Sequence, residues 1–292
     1  MKIGWIGLGN MGLPMSLQII DKSHEKVIGY DISGAAMQKF AASGGIPGES
    51  SEQIFESCDL VFLSMPTNGL VRKYIEEALQ YMRPDAVVVD TSSITRETVC
   101  DLKEQALEKG IGLIDCPISG GVQGAAEGKL SAMCGGDPDV FEKVLPYIRM
   151  FASKVIRMGD YGTGYTAKLI NNMIVGVEIT LIAEAFALAL RDGIDLKVLM
   201  DAIKDGAAGS QVLNIKGRKM IDEDYSVSSS VKIHLKDQKN CMELADRLGS
   251  KTPLLSISTQ ILEDMASEGH GDTDVAAVIN YYKQEVDDNG QI

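Results

Sequence analysis

Short apolar runs alternate with longer segments of mixed polarity up to about residue 160, and beyond it only long segments with helical spacing remain. The apolar runs fall at residues 2–6, 27–30, 60–64, 87–90, 113–115, 130–134 and 154–157. Their length and separation predict strands alternating with helices. Helices are predicted after the first run, from about Leu70, up to about Lys109, and over residues 138–150. Residues 165–190, 196–204, 233–248, 254–268 and 275–287 read as helices with no strand among them. The expected architecture is an α/β Rossmann-type dinucleotide-binding domain over residues 1–161. An all-α domain over residues 162–292, for substrate and oligomerisation, follows it, the two joined by a long helix.

That long helix carries unusual polar residues. The turn Gly162-Thr163-Gly164 opens it, and Lys168 and Asn172 stand four residues apart, on one face and one turn apart. Asn171 lies beside them. A lysine and two asparagines in an apolar helix are costly to bury without partners, which marks them as candidates for chemistry. The segment nearly has the length of a membrane span, but Lys168, Glu178 and Glu184 within it point to a buried core helix.

The first apolar run leads into Gly7-Leu8-Gly9-Asn10-Met11-Gly12, then a helix with Pro14 in its first turn and a second strand ending at Asp31. A strand, GxGxxG, a helix, a strand and an acid nineteen residues after the last glycine form the pattern of a dinucleotide site. Gly7 makes the tight turn, Gly9 lets the backbone approach a pyrophosphate, and Gly12 lets helix and strand pack closely. The helix amino terminus offers N–H groups to the phosphates. Asp31 is placed to accept from the adenosine ribose hydroxyls and to repel a 2′-phosphate, which favours NAD over NADP. The alternative is a glycine turn without ligand and an aspartate that only caps a helix.

Ligands in such sheets sit outside the carboxyl ends of the strands, so the loops Met65-Pro66 and Ser92-Ser93 are expected to line the cofactor groove. Ser119-Gly120-Gly121 follows a further strand. Its N–H groups can converge on one anion, with the Ser119 hydroxyl as a further donor, and a small carboxylate is the candidate ligand. A plain glycine-rich hairpin remains the competing reading.

Composition narrows the partners. The net charge of −13 argues against nucleic acid, which calls for a basic surface. Five cysteines without a CxxC pair point to a reducing, cytoplasmic compartment, with free thiols and no zinc site. The glycines of the amino-terminal run break any signal peptide. His24, His234 and His270 have no partner pattern beside them; His24 and His270 fall in a turn and a loop. No metal cluster is expected.

Taken together, GLGNMGLPM, DCPISGGVQGAAEGKLSAMCGG (residues 115–136), GTGYTAKLINN and the pair Lys236-Asp237 resemble the β-hydroxyacid dehydrogenase family, which includes 3-hydroxyisobutyrate dehydrogenases and tartronate semialdehyde reductases. The likeness covers nearly the whole chain. It implies hydride transfer between NAD and a small hydroxyacid, with Lys168 as acid–base catalyst. Ser119, Gly120, Gly121 and Asn172 would hold the substrate. Met65, Pro66 and Ser93 would contact the dinucleotide, and Lys236 would sit near its nicotinamide end. It also implies a homodimer or homotetramer built through the helical domain. The last motif reads KDQ where many members read KDL. Other expectations on the same scaffold are an imine reductase, a decarboxylating dehydrogenase of the 6-phosphogluconate type, and a dinucleotide-binding module without catalysis. A subgroup that reduces imines lacks the lysine, and Lys168 is present here.

Overall fold

The computed structural model describes residues 1–288. The frayed tail expected at residues 287–292 falls mostly outside them. Two compact units divide the chain, Met1–Lys168 and Leu169–Ile292.

In the first unit, among the described residues, nine strands form one sheet: β1 (Ile3–Ile6), β2 (Val27–Tyr30), β3 (Ile46–Pro47), β4 (Leu60–Leu63), β5 (Val87–Asp90), β6 (Gly112–Asp115), β7 (Ile118–Ser119), β8 (Leu130–Gly136) and β9 (Ala152–Gly159). The order is β3-β2-β1-β4-β5-β6-β8-β7, with β9 pairing to β8. Strands β1 to β6 pair in parallel, while β8 runs antiparallel to β6 and β7. The order reverses at β1, whose carboxyl end opens into the glycine loop. A crevice for a ligand is expected at that switch point.

Both faces of the sheet are buried, so the strands read as continuous apolar runs. Ile3 and Trp5 of β1 enter one core with Phe62 and Val89, and Ile6 enters the other with Val61, Leu63 and Val88. Trp5 stacks on Phe62 at 4.8 Å between ring centroids, and Phe151 meets both rings edge-on. The covering helices are α1 (Gly12–Ser23), α2 (Gly34–Ala42), α3 (Ser51–Ser57), α4 (Asn68–Tyr81), α5 (Leu102–Glu108), α6 (Gly121–Ala126) and α7 (Pro138–Phe151). Their starts carry legible caps: Ser33, Ser50, Thr67 and Asp137 each accept an N–H of the following turn. The reading of the sequence assigned no element between residues 32 and 59, where α2, β3 and α3 lie. The glycine-rich residues of α6 read as loop in the sequence and form a short helix here.

The second unit is helical, with α8 (Thr163–Arg191) entering it from the first. Its other helices are α9 (Leu196–Ile203), α10 (Arg218–Ile221), α11 (Val231–Leu248), α12 (Pro253–Met265) and α13 (Ile279–Asp288). Two π-helical turns, Leu213–Gly217 and Ala266–His270, interrupt it; the second contains His270, expected in a plain loop. Ile179, Ala183 and Phe186 recur at helical spacing along α8 and form the core with Leu213, Met220, Leu262 and Val275. By length and composition α8 could cross a membrane. Its role in this core, with Glu178 and Glu184 along it, makes it a structural helix of the fold.

The sequence reading placed the domain boundary at the turn before α8, whereas the units divide inside the helix, after Lys168. The reason lies in the helix's first turn. Tyr165 is fully buried in the first unit's core, which also holds Ile94 and Val99, and its ring meets Tyr161 edge-on.

Candidate functional site

The glycine loop has the geometry that a dinucleotide cradle needs. Gly7 adopts φ +95°, and a Cβ there would lie 2.3 Å from the Ser64 carbonyl oxygen. At Gly12 a Cβ would meet the Gly7 carbonyl at 1.9 Å, so only glycine lets α1 sit this close to β1. Gly9 faces open space, with nothing within 4 Å of its Cβ position. No side chain caps α1; its Leu13 N–H donates to the Gly9 carbonyl at 3.1 Å and Pro14 has no N–H, so an anion at this end would turn to the backbone of the loop ahead of them.

Asp31 stands at the end of β2 with a fixed carboxylate. Oδ2 accepts the Leu8 N–H at 2.7 Å and Oδ1 accepts the Ser33 N–H at 2.7 Å. Each oxygen retains a second lone pair for a hydroxyl. Beside it opens a cavity of about 460 Å³ whose lining includes Leu8, Gly9, Asn10, Pro14, Asp31, Lys39 and Val122. This volume is in the range of small-molecule and cofactor sites. The group implied by the motif therefore fits these residues: open backbone at Gly9, close packing at Gly7 and Gly12, and an acid at the rim. Val122 follows Gly121, so the cavity joins the glycine loop to the segment after β7. Met11, also singled out in the loop, is half-buried and packs on the core beneath.

The two post-strand loops touch. The Met65 N–H donates to Ser92 Oγ at 2.8 Å, and Met65 Cε lies against Gly7. Pro66 is exposed beside it and Ser93 is half-buried. Ser119 is half-buried and pairs with Ser131 across β7 and β8. Gly120 and Gly121 take φ +131° and +67°, two successive left-handed residues that open α6. Gln123 donates to Glu127 Oε1 at 2.8 Å along that helix.

Lys168 is buried, 8% exposed, at the end of the first unit's part of α8. The start of that helix is held from a distance. Asp115, at the end of β6, accepts the Gly162 N–H on Oδ1 at 2.6 Å and the Tyr165 N–H on Oδ2 at 2.8 Å. Cβ atoms at Gly135 and Gly164 would come within 2.5 Å of this carboxylate, so both positions stay glycine to admit it. Asp90, at the end of β5, accepts the Tyr165 hydroxyl at 2.6 Å and the Ser92 hydroxyl at 2.5 Å. Burial pushes both carboxyls up to about 6, against the lowering effect of their hydrogen bonds. Sequence reasoning assigned no role to Asp90, Asp115 or Tyr165. The available signal was an aspartate ending each of two neighbouring strands, the position where such sheets place functional groups.

In the second unit, Asn172 Nδ2 donates to Asp237 Oδ2 at 2.7 Å, and Asn171 Nδ2 donates to Asn172 Oδ1 at 3.1 Å. Lys236 pairs with Asp237 Oδ1 at 3.0 Å. Asn172 and Lys236, separated by more than sixty positions, thus meet on one carboxylate. Lys232 pairs instead with Asp272 on the surface. His24 caps α1 in a left-handed conformation. Among the described residues no group of histidine, cysteine and acid side chains is arranged to hold a metal.

Comparison with known proteins agrees with this geometry. The family model described as the NAD binding domain of 6-phosphogluconate dehydrogenase matches residues 2–159. The model described as NAD-binding of NADP-dependent 3-hydroxyisobutyrate dehydrogenase matches residues 162–282. The chain is 30% identical to 2-(hydroxymethyl)glutarate dehydrogenase of Eubacterium barkeri, over 97% of this chain and 95% of that protein. It is 29% identical to 2-hydroxy-3-oxopropionate reductase of Escherichia coli, over 96% of each. The solved structure of Mycobacterium tuberculosis 3-hydroxyisobutyrate dehydrogenase with L-serine superposes with a TM-score of 0.89 at 30% identity, covering 96% of this chain and 98% of that one. An imine reductase from Myxococcus stipitatus shares the fold, with a TM-score of 0.61, at 15% identity and over 96% of this chain and 98% of that one.

Proposed function

The chain belongs to the β-hydroxyacid dehydrogenase family, and we propose that it interconverts a small hydroxyacid and its semialdehyde with NAD, using Lys168 as the general acid–base. The observation that carries this reading is Lys168 itself, a buried lysine on the helix that Asp115 anchors, in the same unit as an open glycine cradle.

The bound nicotinamide supplies the hydride acceptor or donor. Gly7, Leu8, Gly9, Asn10, Met11 and Gly12 hold the dinucleotide, with Met65, Pro66 and Ser93 along the groove and Lys236 toward the nicotinamide. Asp31 binds the ribose hydroxyls and disfavours a 2′-phosphate, which supports NAD over NADP. Ser119, Gly120 and Gly121 bind the substrate carboxylate through their N–H groups and the hydroxyl, and orient the carbinol carbon. Asn172, its amide oriented by Asp237, contacts the substrate without adding charge. Lys168 takes the hydroxyl proton as the hydride leaves the carbinol carbon. In reduction it returns that proton to the nascent alkoxide. The lysine that this chemistry requires favours a hydroxyacid over an imine as substrate.

The exposed residues Ile174, Leu181 and Leu188 line one stripe of α8 in the second unit, each seven residues after the last. A second copy of this chain is the occupant we assign to that stripe, which makes the enzyme a homodimer or homotetramer. The net charge of −13 argues against a nucleic-acid partner, and the free thiols suit the cytoplasm.

The test is a near-ultraviolet absorbance assay over a panel of small hydroxyacids with NAD and with NADP, repeated on Lys168→Ala. The expected result is activity on a hydroxyacid with NAD preferred, and a loss of several orders of magnitude in the variant with NADH binding retained. A variant with near-normal turnover would remove Lys168 from catalysis.

A further inference from the structure

We infer that Asp90 and Tyr165 are positioning residues for Lys168, linking the cofactor-side loops to the turn of α8 that carries the lysine. The inference rests on the assignment of Lys168 as the acid–base group.

The contacts form one continuous path within the first unit. Met65 lies against Gly7 of the dinucleotide loop, and its N–H donates to Ser92 Oγ at 2.8 Å. Ser92 donates from both its hydroxyl, at 2.5 Å, and its N–H, at 3.1 Å, to Asp90 Oδ1. Asp90 Oδ2 accepts the Tyr165 hydroxyl at 2.6 Å. Lys168 follows three residues after Tyr165, so the two side chains share a side of the helix. Asp90 is 1% exposed and Tyr165 fully buried.

Attachment of the helix alone does not call for this path. Asp115 already binds the backbone of the first turn through Gly162 and Tyr165, and so fixes where the helix begins. A bond from the end of the Tyr165 side chain constrains a different coordinate, the rotation of α8 about its axis. That rotation decides where the Lys168 ammonium points. The ring of Tyr165 is already packed among apolar side chains and edge-on to Tyr161, at 6.2 Å between centroids. Its hydroxyl adds the link to Asp90, beside a hydrogen bond with the Tyr161 side chain. A buried carboxylate with this set of donors is costly to keep, and it joins the two loops expected to line the cofactor groove to the acid–base helix. Movement of either loop is thereby passed to the lysine.

Tyr165→Phe keeps the ring and removes the link. In the full-length enzyme it is expected to lower kcat about 10–100-fold, as a misplaced catalytic group does, with KM for hydroxyacid and NAD within about threefold of the parent. Asp90→Asn, nearly isosteric, is the second variant and is expected to act in the same direction. The decisive measurement is Tyr165→Phe in the Lys168→Ala background. If Tyr165 acts through the lysine, the residual rate there stays within about twofold of Lys168→Ala alone. An undiminished kcat in Tyr165→Phe would overturn the inference, as would a full further loss in the double variant. Should Lys168→Ala turn over normally, both the acid–base assignment and the positioning role fall. A dead Lys168→Ala beside a fully active Tyr165→Phe removes the positioning role alone.

Discussion

The Asp115 carboxylate accepts the Tyr165 backbone N–H at 2.8 Å, fifty positions along the chain, and so caps a helix to which it does not belong. Negative charge at a helix amino terminus is stabilising, and here both oxygens are used. Asp115→Asn replaces one oxygen by a donor, which must then face either the Gly162 or the Tyr165 N–H. The expected loss is about 2–3 kcal/mol of stability, since a buried backbone donor is left unsatisfied. Urea unfolding of parent and variant measures it, and equal midpoints would show that the carboxylate is dispensable as a cap.

The glycine loop was legible because each glycine answers a separate steric demand: left-handed backbone at Gly7, close approach at Gly12, open space at Gly9. The alternation of strands and helices was legible because both faces of the sheet are buried. The missed elements lack those signals. α2 buries only Phe40, so it shows no apolar stripe, although its cap Ser33 was present in the sequence. α3 and α6 are too short for a helical period to be counted. The Asp90–Tyr165 and Asp115–Tyr165 bonds join residues fifty or more apart, and spacing along a chain says nothing of such pairs until the sheet order is known.

On the proposed function Asp31 has two tasks, and a substitution separates them. It holds the Leu8 and Ser33 N–H groups and stands in the cavity that Lys39 also lines. Asp31→Ser removes the charge that opposes a 2′-phosphate and leaves the Lys39 ammonium to attract it. The ratio of kcat/KM for NADP to that for NAD is expected to rise by about tenfold or more, on the order of 1.4 kcal/mol. Steady-state kinetics with both cofactors decide the matter, and an unchanged ratio would assign Asp31 to loop structure alone.

The raised carboxyl of Asp90 predicts a direction for stability against pH. Its folded value of about 6 lies above the ordinary 3.8, so between those values the folded protein binds more protons than the unfolded chain. Stability from this group therefore falls as pH rises from about 4 to about 6, and levels off above. Asp90→Asn removes that contribution. The stability of the parent minus that of the variant is expected to shrink by up to about 3 kcal/mol between about pH 4 and pH 7. Urea titrations at four pH values test this, and a constant difference would mean that Asp90 titrates as an ordinary carboxyl.

Gln238, the residue at which the last motif departs from its common form, is fully buried in the second unit and well satisfied there. Its Nε2 donates to Ser258 Oγ at 2.8 Å, and its Oε1 accepts from Thr259 at 3.0 Å. Thr180 of α8 donates to the same Ser258 oxygen at 3.2 Å, so three helices meet in one polar seam. Gly176 makes room for it, since a Cβ there would stand 2.4 Å from Gln238 Nε2. Glutamine and its surroundings are therefore matched as a set, and restoring leucine alone breaks the match. Gln238→Leu takes one donor from Ser258, which keeps Thr180, and one acceptor from Thr259, which keeps the Leu255 carbonyl, at an expected cost of about 1 kcal/mol. Ser258→Ala alone strands the Gln238 amide at a similar cost. Combined, the two substitutions remove both ends of one bond, and the double variant should be more stable than the sum of the single losses predicts, by about 1 kcal/mol. A double-mutant cycle from thermal or urea unfolding measures that coupling. Strict additivity would mean that the seam is a set of independent contacts, and that the departure at Gln238 needs no partner in the helices around it.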